Sequence, residues 1–111
     1  MKKILTLKKN YEFKMVFSKG KWFRGKYIII YLLQNSSARN RIGIAVSRKV
    51  GKSVTRNRLK RVIRECYRYY KNDIKIGYDI VILWKNSSNI ITFYELNEDM
   101  KKILTKSGLI N

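Results

Sequence analysis

The sequence predicts an α+β fold, a two-layer α/β sandwich with the element order α-β-β-β-α-β-α. Three observations lead there. Lys26–Gln34 (KYIIIYLLQ) and Tyr78–Lys85 (YDIVILWK) are β-rich and nearly all apolar, as inner strands are. Arg41–Lys49 (RIGIAVSRK) alternates apolar and non-apolar residues with the period of a strand. Leu59, Val62, Ile63, Cys66, Tyr67 and Tyr70 keep the i, i+3, i+4, i+7, i+8, i+11 spacing of one helical face. A chain of 111 residues fits a single domain spanning 1–111, and it contains no proline. No repeat, low-complexity tract or linker interrupts it.

Taken in order, the first element is a short helix over Tyr11–Ser18, with Asn10 as its N-cap and Gly20 as its stop. Phe13, Val16 and Phe17 share one face of it, and periodicity alone leaves open whether the two rings are core or surface. Lys21–Gly25 reads as a short edge strand. Its adjacent aromatics Trp22 and Phe23 point to opposite faces, so at least one is free to be exposed. In the strand Lys26–Gln34, Tyr27, Ile29, Tyr31 and Leu33 face one way, and Ile28, Ile30 and Leu32 the other. Asn35–Asn40 is a polar turn. In the next strand Ile42, Ile44 and Val46 form the apolar face; Arg41, Gly43, Ala45, Ser47 and Lys49 form a face that is small in the middle and basic at its ends. A Gly, Ala, Ser surface does not fill space: either a helix packs closely on it, or it floors a groove for an extended ligand.

Val50–Thr55 links that strand to the long helix, with Ser53 as N-cap, and the helix runs to about Tyr70. Asn72–Gly77 is a loop, followed by the strand Tyr78–Lys85 and a polar loop over Lys85–Asn89. Thr92 and Glu95 form a capping box for a last helix that buries Phe93, Leu96, Met100, Ile103 and Leu104. Its acids Glu95, Glu98 and Asp99 lie near the start and Lys101, Lys102 and Lys106 near the end, as the helix dipole favours. Gly108 ends it.

The long helix lies in the chain's most charged stretch. Ser47–Arg68 holds nine Lys or Arg and one acid, Glu65. Asn57, Lys60, Arg61, Arg64, Arg68 and Lys71 gather opposite the apolar stripe, which spans about 160°. A solvated helix face normally mixes signs through i, i+4 pairs, but here like charges neighbour one another, which costs a few tenths of a kcal/mol per pair (roughly). A polyanion relieves that repulsion. The formal net charge is +19 and the pI about 10.3. Residues 1–71 carry 21 basic and 2 acidic side chains, and residues 72–111 carry 5 of each, so the whole excess belongs to the first two-thirds. Nucleic acid is the leading partner and an anionic membrane the second. The longest apolar run, Tyr27–Leu33, is seven residues, too short to span a bilayer. MKKILTLKK lacks the apolar region and cleavage site of a signal peptide. The single cysteine, Cys66, lies on the apolar helix face and fits a reducing, cytoplasmic setting.

Catalytic groups are scarce. There is no histidine, and the seven carboxylates are scattered. Two-metal nuclease chemistry needs clustered carboxylates, and the basic region offers only Glu65. No phosphate-binding loop of the GxxxxGK[ST] type and no Cys/His zinc spacing occurs. The chain reads as a binder, not as a catalyst on its own.

Ser47–Arg64, SRKVGKSVTRNRLKRVIR, resembles the signature of the bacterial ribonuclease P protein subunit, with Arg56, Asn57 and Arg58 as its RNR triplet. Leu7–Phe17 is similar to the family's first helix, Arg41–Ser47 to the strand before the signature and YDIVILWK to the strand after the long helix. The resemblance implies a left-handed β-α-β crossover, against the general right-handed rule. It implies a holoenzyme in which a catalytic RNA, with Mg²⁺ held mainly by that RNA, matures the 5′ end of precursor tRNA. The protein's share is recognition, with no membrane or DNA partner. Carried over residue by residue, Phe13, Phe17, Tyr31 and Ser47 would line the 5′-leader cleft. Arg48, Lys49, Lys52, Arg56, Asn57, Arg58, Lys60, Arg61, Arg64 and Arg68 would contact the catalytic RNA, and Asn57 is the one candidate for a metal, through RNA or water. Trp22 and Phe23 have no clear counterpart in the resemblance; they either cover the core or add a stacking surface. The competing reading is a general RNA-binding or ribosome-associated module; an autonomous nuclease is a third.

Overall fold

Strand pairing follows the alternation in the sequence. The computed structural model describes residues 4–85 and 91–111. Its elements are β1 (Leu5–Thr6), α1 (Asn10–Lys19), β2 (Lys21–Arg24), β3 (Ile28–Gln34), β4 (Arg41–Val46), α2 (Ser53–Tyr70), β5 (Tyr78–Trp84) and α3 (Phe93–Lys106). Single 3-10 turns at Arg48–Val50 and Lys71–Asp73 flank α2. The five strands form one sheet in the order β1-β4-β5-β3-β2. The two apolar runs are its centre: β5 pairs antiparallel with β3 and parallel with β4, and α2 makes the crossover from β4 to β5.

The two faces of this sheet are covered unequally. On one, Ile28, Ile30 and Leu32 of β3, Ile42 of β4 and Ile80, Ile82 and Trp84 of β5 pack with the stripes of α2 and α3 in one continuous core. Leu59, Ile63, Cys66, Tyr67 and Tyr70 of α2 are buried in it as the spacing predicts, with Val62 half-buried at its margin. Each aliphatic side chain buried there contributes about 1.5–3 kcal/mol. Among the described residues the opposite face carries one helix, α1, whose Val16 packs with Leu7 and Val81 in a small separate cluster.

Several boundaries differ from expectation, each for a local reason. β1 is an additional strand: two residues are too few for alternation to show, and parallel pairing to β4 creates it. α1 starts at Asn10, not after it. Its N-cap is Lys9, and Glu12 Oε1 accepts the backbone N–H groups of Lys8 and Lys9, both at 2.9 Å. Gly20 does end α1, its N–H donating to Val16 O at 2.8 Å. A Cβ there would lie 2.8 Å from Leu32 O, so only glycine lets the chain turn this tightly into β2. β4 stops at Val46, and Ser47 caps the 3-10 turn Arg48–Val50 that leads out of the strand. Ser53 is already helical, so Lys52 is the N-cap of α2.

The capping box of α3 forms as expected, Thr92 Oγ1 accepting the Glu95 N–H at 3.2 Å and Glu95 Oε1 the Thr92 N–H at 3.1 Å. Phe93, expected inside, is 37% exposed. At the first helical position its side chain leans back past the helix end. Asp99 is buried, and a helix dipole does not account for it. Its carboxylate accepts the N–H groups of Lys26 (2.7 Å), Tyr27 (2.8 Å) and Ile28 (3.2 Å), which ties the β2–β3 turn to α3. The polar loop expected after Lys85 falls on 86–89, outside the described residues.

Candidate nucleic-acid interface

A helix packs on part of the small-residue face of β4 and leaves the rest open. A Cβ on Gly43 would lie 2.5 Å from Phe13 Cε1, so this glycine is the seat of the Phe13 ring. Phe13 is therefore half-buried, part of the cluster under α1. One helical turn on, Phe17 meets Tyr31 edge-on, with centroids 4.8 Å apart and planes at 87°. Phe17 is 37% exposed and Tyr31 half-buried. Beyond α1, no element among the described residues closes over this face of the sheet. Ala45, Leu83 and Ile29 lie side by side in register across β4, β5 and β3. They are half-buried and belong to neither core cluster. This half-buried apolar strip, with the α1 aromatics along one side, is the candidate groove. Ser47 follows where β4 ends; it is exposed, and its hydroxyl accepts the Lys49 N–H at 3.2 Å.

A charged strut holds α1 at the groove's edge. Arg41 donates from Nε and Nη2 to the two carboxylate oxygens of Asp79, at 2.9 and 2.7 Å, and from Nη1 to Glu12 at 2.7 Å. Asn35 Nδ2 adds a third donor to Asp79 at 2.9 Å. Burial pushes the Asp79 carboxyl up, but Arg41 and Asn35 more than offset this and hold it below its ordinary value. The Lys9 and Lys8 amides, assisted by Arg41, hold Glu12 below its ordinary value as well. Sequence reasoning missed this strut. The available signals were an acid inside an apolar strand, Asp79, and one of only two acids in the first 71 residues, Glu12.

The basic segment begins where the floor strand ends. Arg48, Lys49 and Lys52 are exposed on the turn into α2; Asn57, Arg58, Arg61 and Arg68 are exposed along the helix, and Lys60 and Arg64 half-exposed. Two members already have partners. Arg56 Nη1 donates to Gly51 O at 2.7 Å, bracing the turn that carries Lys52. Arg68 pairs with Glu65 at 2.7 Å, an exposed i, i+3 contact of the kind that contributes about 0–1 kcal/mol. Cys66 lies on the hidden side of this helix, its thiol pushed up to about 12 chiefly by burial, so it is inert packing.

Among the described residues no three His, Cys, Asp or Glu side chains come together as a metal cluster. Mg²⁺ is held through one or two carboxylates with substrate oxygens and water. The only acid in the basic segment, Glu65, is engaged by Arg68. The donor set of this segment thus does not fit a resident Mg²⁺, and Asn57 offers only a carboxamide. Among the described residues no helix is long and apolar enough to cross a membrane.

Comparison with known proteins bears on the same features. The family described as Ribonuclease P matches residues 1–108. A ribonuclease P protein component from Clostridioides difficile is 43% identical over 104 residues, covering 93% of this chain and 91% of that protein. One from Natranaerobius thermophilus is 40% identical over 110 residues, covering 99% and 96%. Among solved structures, the Staphylococcus aureus RNase P protein superposes with a TM-score of 0.86 at 28% identity, covering 98% of this chain and all of that one. Sheet, groove and basic helix thus sit in a chain that belongs to the family of ribonuclease P protein components.

Proposed function

We propose that this chain, as the protein subunit of ribonuclease P, holds the single-stranded 5′ leader of precursor tRNA in the groove beside α1. In the same reading the Arg48–Arg68 segment docks on the catalytic RNA. The observation that carries this is the pairing of Phe17 and Tyr31 beside an open apolar strip that leads into a basic turn. Stacking on such rings contributes about 1–3 kcal/mol per base and accepts any base. That tolerance suits a leader whose sequence differs from one tRNA to the next. Ala45 and Ser47 leave the floor low enough for an extended chain to lie on it.

Arg58, Arg61 and Arg64 present forked donors to phosphates, while Lys49, Lys52 and Lys60 act as point charges. Mg²⁺ supplies the water activation and charge stabilisation of hydrolysis from sites on the RNA. This chain's part is to position substrate and lower the repulsion between two RNAs. Asn57, with both a donor and an acceptor, fixes a local hydrogen-bond geometry at the start of the basic helix. The setting is the cytoplasm, with no DNA or membrane partner. A general RNA-binding module would explain the charge but not a family match over 1–108.

Reconstitution tests the reading. Bacterial ribonuclease P RNA at low Mg²⁺ should cleave precursor tRNA at the 5′ end markedly faster with this protein than without it; no gain would sink the proposal. Phe17→Ala and Tyr31→Ala should weaken binding of long-leader substrates and leave leaderless tRNA unaffected. Equal losses on both substrates would remove these rings from the leader site.

A further inference from the structure

We infer that Trp22 extends the leader-binding surface onto the edge strand β2, as a stacking platform for one more nucleobase. The inference rests on the leader reading above. Its starting point is a single row across the sheet. Gly43 is in register with Val81, Val81 with Tyr31, and Tyr31 with Trp22. Residues directly opposite one another project from the same face. The row therefore crosses four strands, about 14 Å at the usual inter-strand spacing.

α1 covers the first three places and not the fourth. Phe13 sits on Gly43, Val16 packs with Val81, and Phe17 meets Tyr31. The helix then ends at Lys19, and Gly20 turns the chain sharply down into β2. Trp22 is left 59% exposed on the face that carries the other aromatics.

Core packing does not explain a tryptophan there. The core side of β2 is filled by Phe23, opposite Ile30 and packed against the main cluster. Trp22 points the other way, and a small polar residue would serve an exposed edge strand better. Arg24, two residues on, shares the Trp22 face and is also exposed. An aromatic ring flanked by a guanidinium on a groove margin is the arrangement that takes a base and its phosphate from single-stranded RNA. β2 is at the far side of β3 and β5 from β4, whose end leads into the basic turn. With the basic turn docked on the catalytic RNA, the base on Trp22 is accordingly one lying farther from that RNA along the leader than the nucleotides over Ala45 and Ser47.

The test uses the holoenzyme reconstituted with bacterial ribonuclease P RNA and precursor tRNAs whose leaders lengthen one nucleotide at a time. Wild type should gain affinity in a late step that Trp22→Ala lacks, a loss of about tenfold confined to longer leaders, as one stacked base would give. Trp22→Phe should keep most of the gain, and Phe17→Ala should lose affinity from shorter leaders onward. Fluorescence gives a second readout. The other tryptophan, Trp84, is buried beside Tyr27, so quenching on binding a long leader should report Trp22 and vanish in Trp22→Phe. If Trp22→Ala matches wild type at every leader length while Phe17→Ala does not, the Trp22 inference is overturned and the leader reading stands. If neither variant responds to leader length, the leader reading itself is lost.

Discussion

The two faces of the sheet put the same strands to opposite uses. On the α2–α3 face, alternate residues of β3, β4 and β5 are large aliphatics sealed under two amphipathic helices. On the α1 face, the intervening residues are Gly43, Ala45, Val81, Leu83, Ile29 and Tyr31, and one ten-residue helix covers only part of them. A single β-strand has side chains on both faces, so stability and, in the reading proposed above, leader recognition fall to different residues within it. The closed face gives the fold its stability. The open face keeps apolar and aromatic surface available, at the cost of burying less of it. α2 repeats the division around its own axis, with an apolar stripe inside and a one-signed ridge outside.

The largest effect should come from breaking the closed face. Ile63 is 0% exposed at the centre of the α2 stripe. Ile63→Ala should cost about 2–5 kcal/mol in urea unfolding, the range for emptying a packed aliphatic site. Next is the seat of α1. Gly43→Ala puts a methyl into the Phe13 ring, which should cost about 1–3 kcal/mol by overpacking. It should also weaken long-leader binding, because Phe17 moves with the helix. A Gly43→Ala protein with wild-type stability and leader affinity would show that Phe13 gives way freely and that the seat is not structural.

Arg58→Ala sharpens the contrast within α2. Its side chain is exposed, so stability should stay within about 0.5 kcal/mol of wild type. Assembly with the catalytic RNA should weaken, and the slope of log affinity against log salt should flatten by roughly 0.7–0.9, as for one lost phosphate contact. The smallest effect should be the acid response of the strut. Asp79 and Glu12 are both held below their ordinary values when folded. Their contribution is therefore present above the unfolded carboxylate range, near pH 4 (about), and is lost as pH falls through the lower folded values. Urea midpoints followed from pH 7 down to 3 should decline, and Arg41→Met should flatten that decline. An unchanged acid limb in Arg41→Met would mean the strut contributes nothing to stability.

Periodicity and local chemistry belonged to the sequence. The α2 stripe, the inner strands β3 and β5, the alternation of β4 and the Thr92 capping box were all legible, because each depends on residues close together in the chain. The basic segment and its RNR triplet were legible for the same reason. Alternation showed that Trp22 and Phe23 point apart, yet not which of them faces the core; the pairing of Trp22 with Tyr31 decided that. Whether Gly43 takes a helix or a ligand depended on where α1 comes to rest. The strut from Glu12 to Arg41 spans 29 positions, and the bond from Tyr27 to Asp99 spans 72. No local spacing encodes such contacts. They exist only once the sheet order brings distant strands side by side, and that order alone sets Trp22 next to Tyr31.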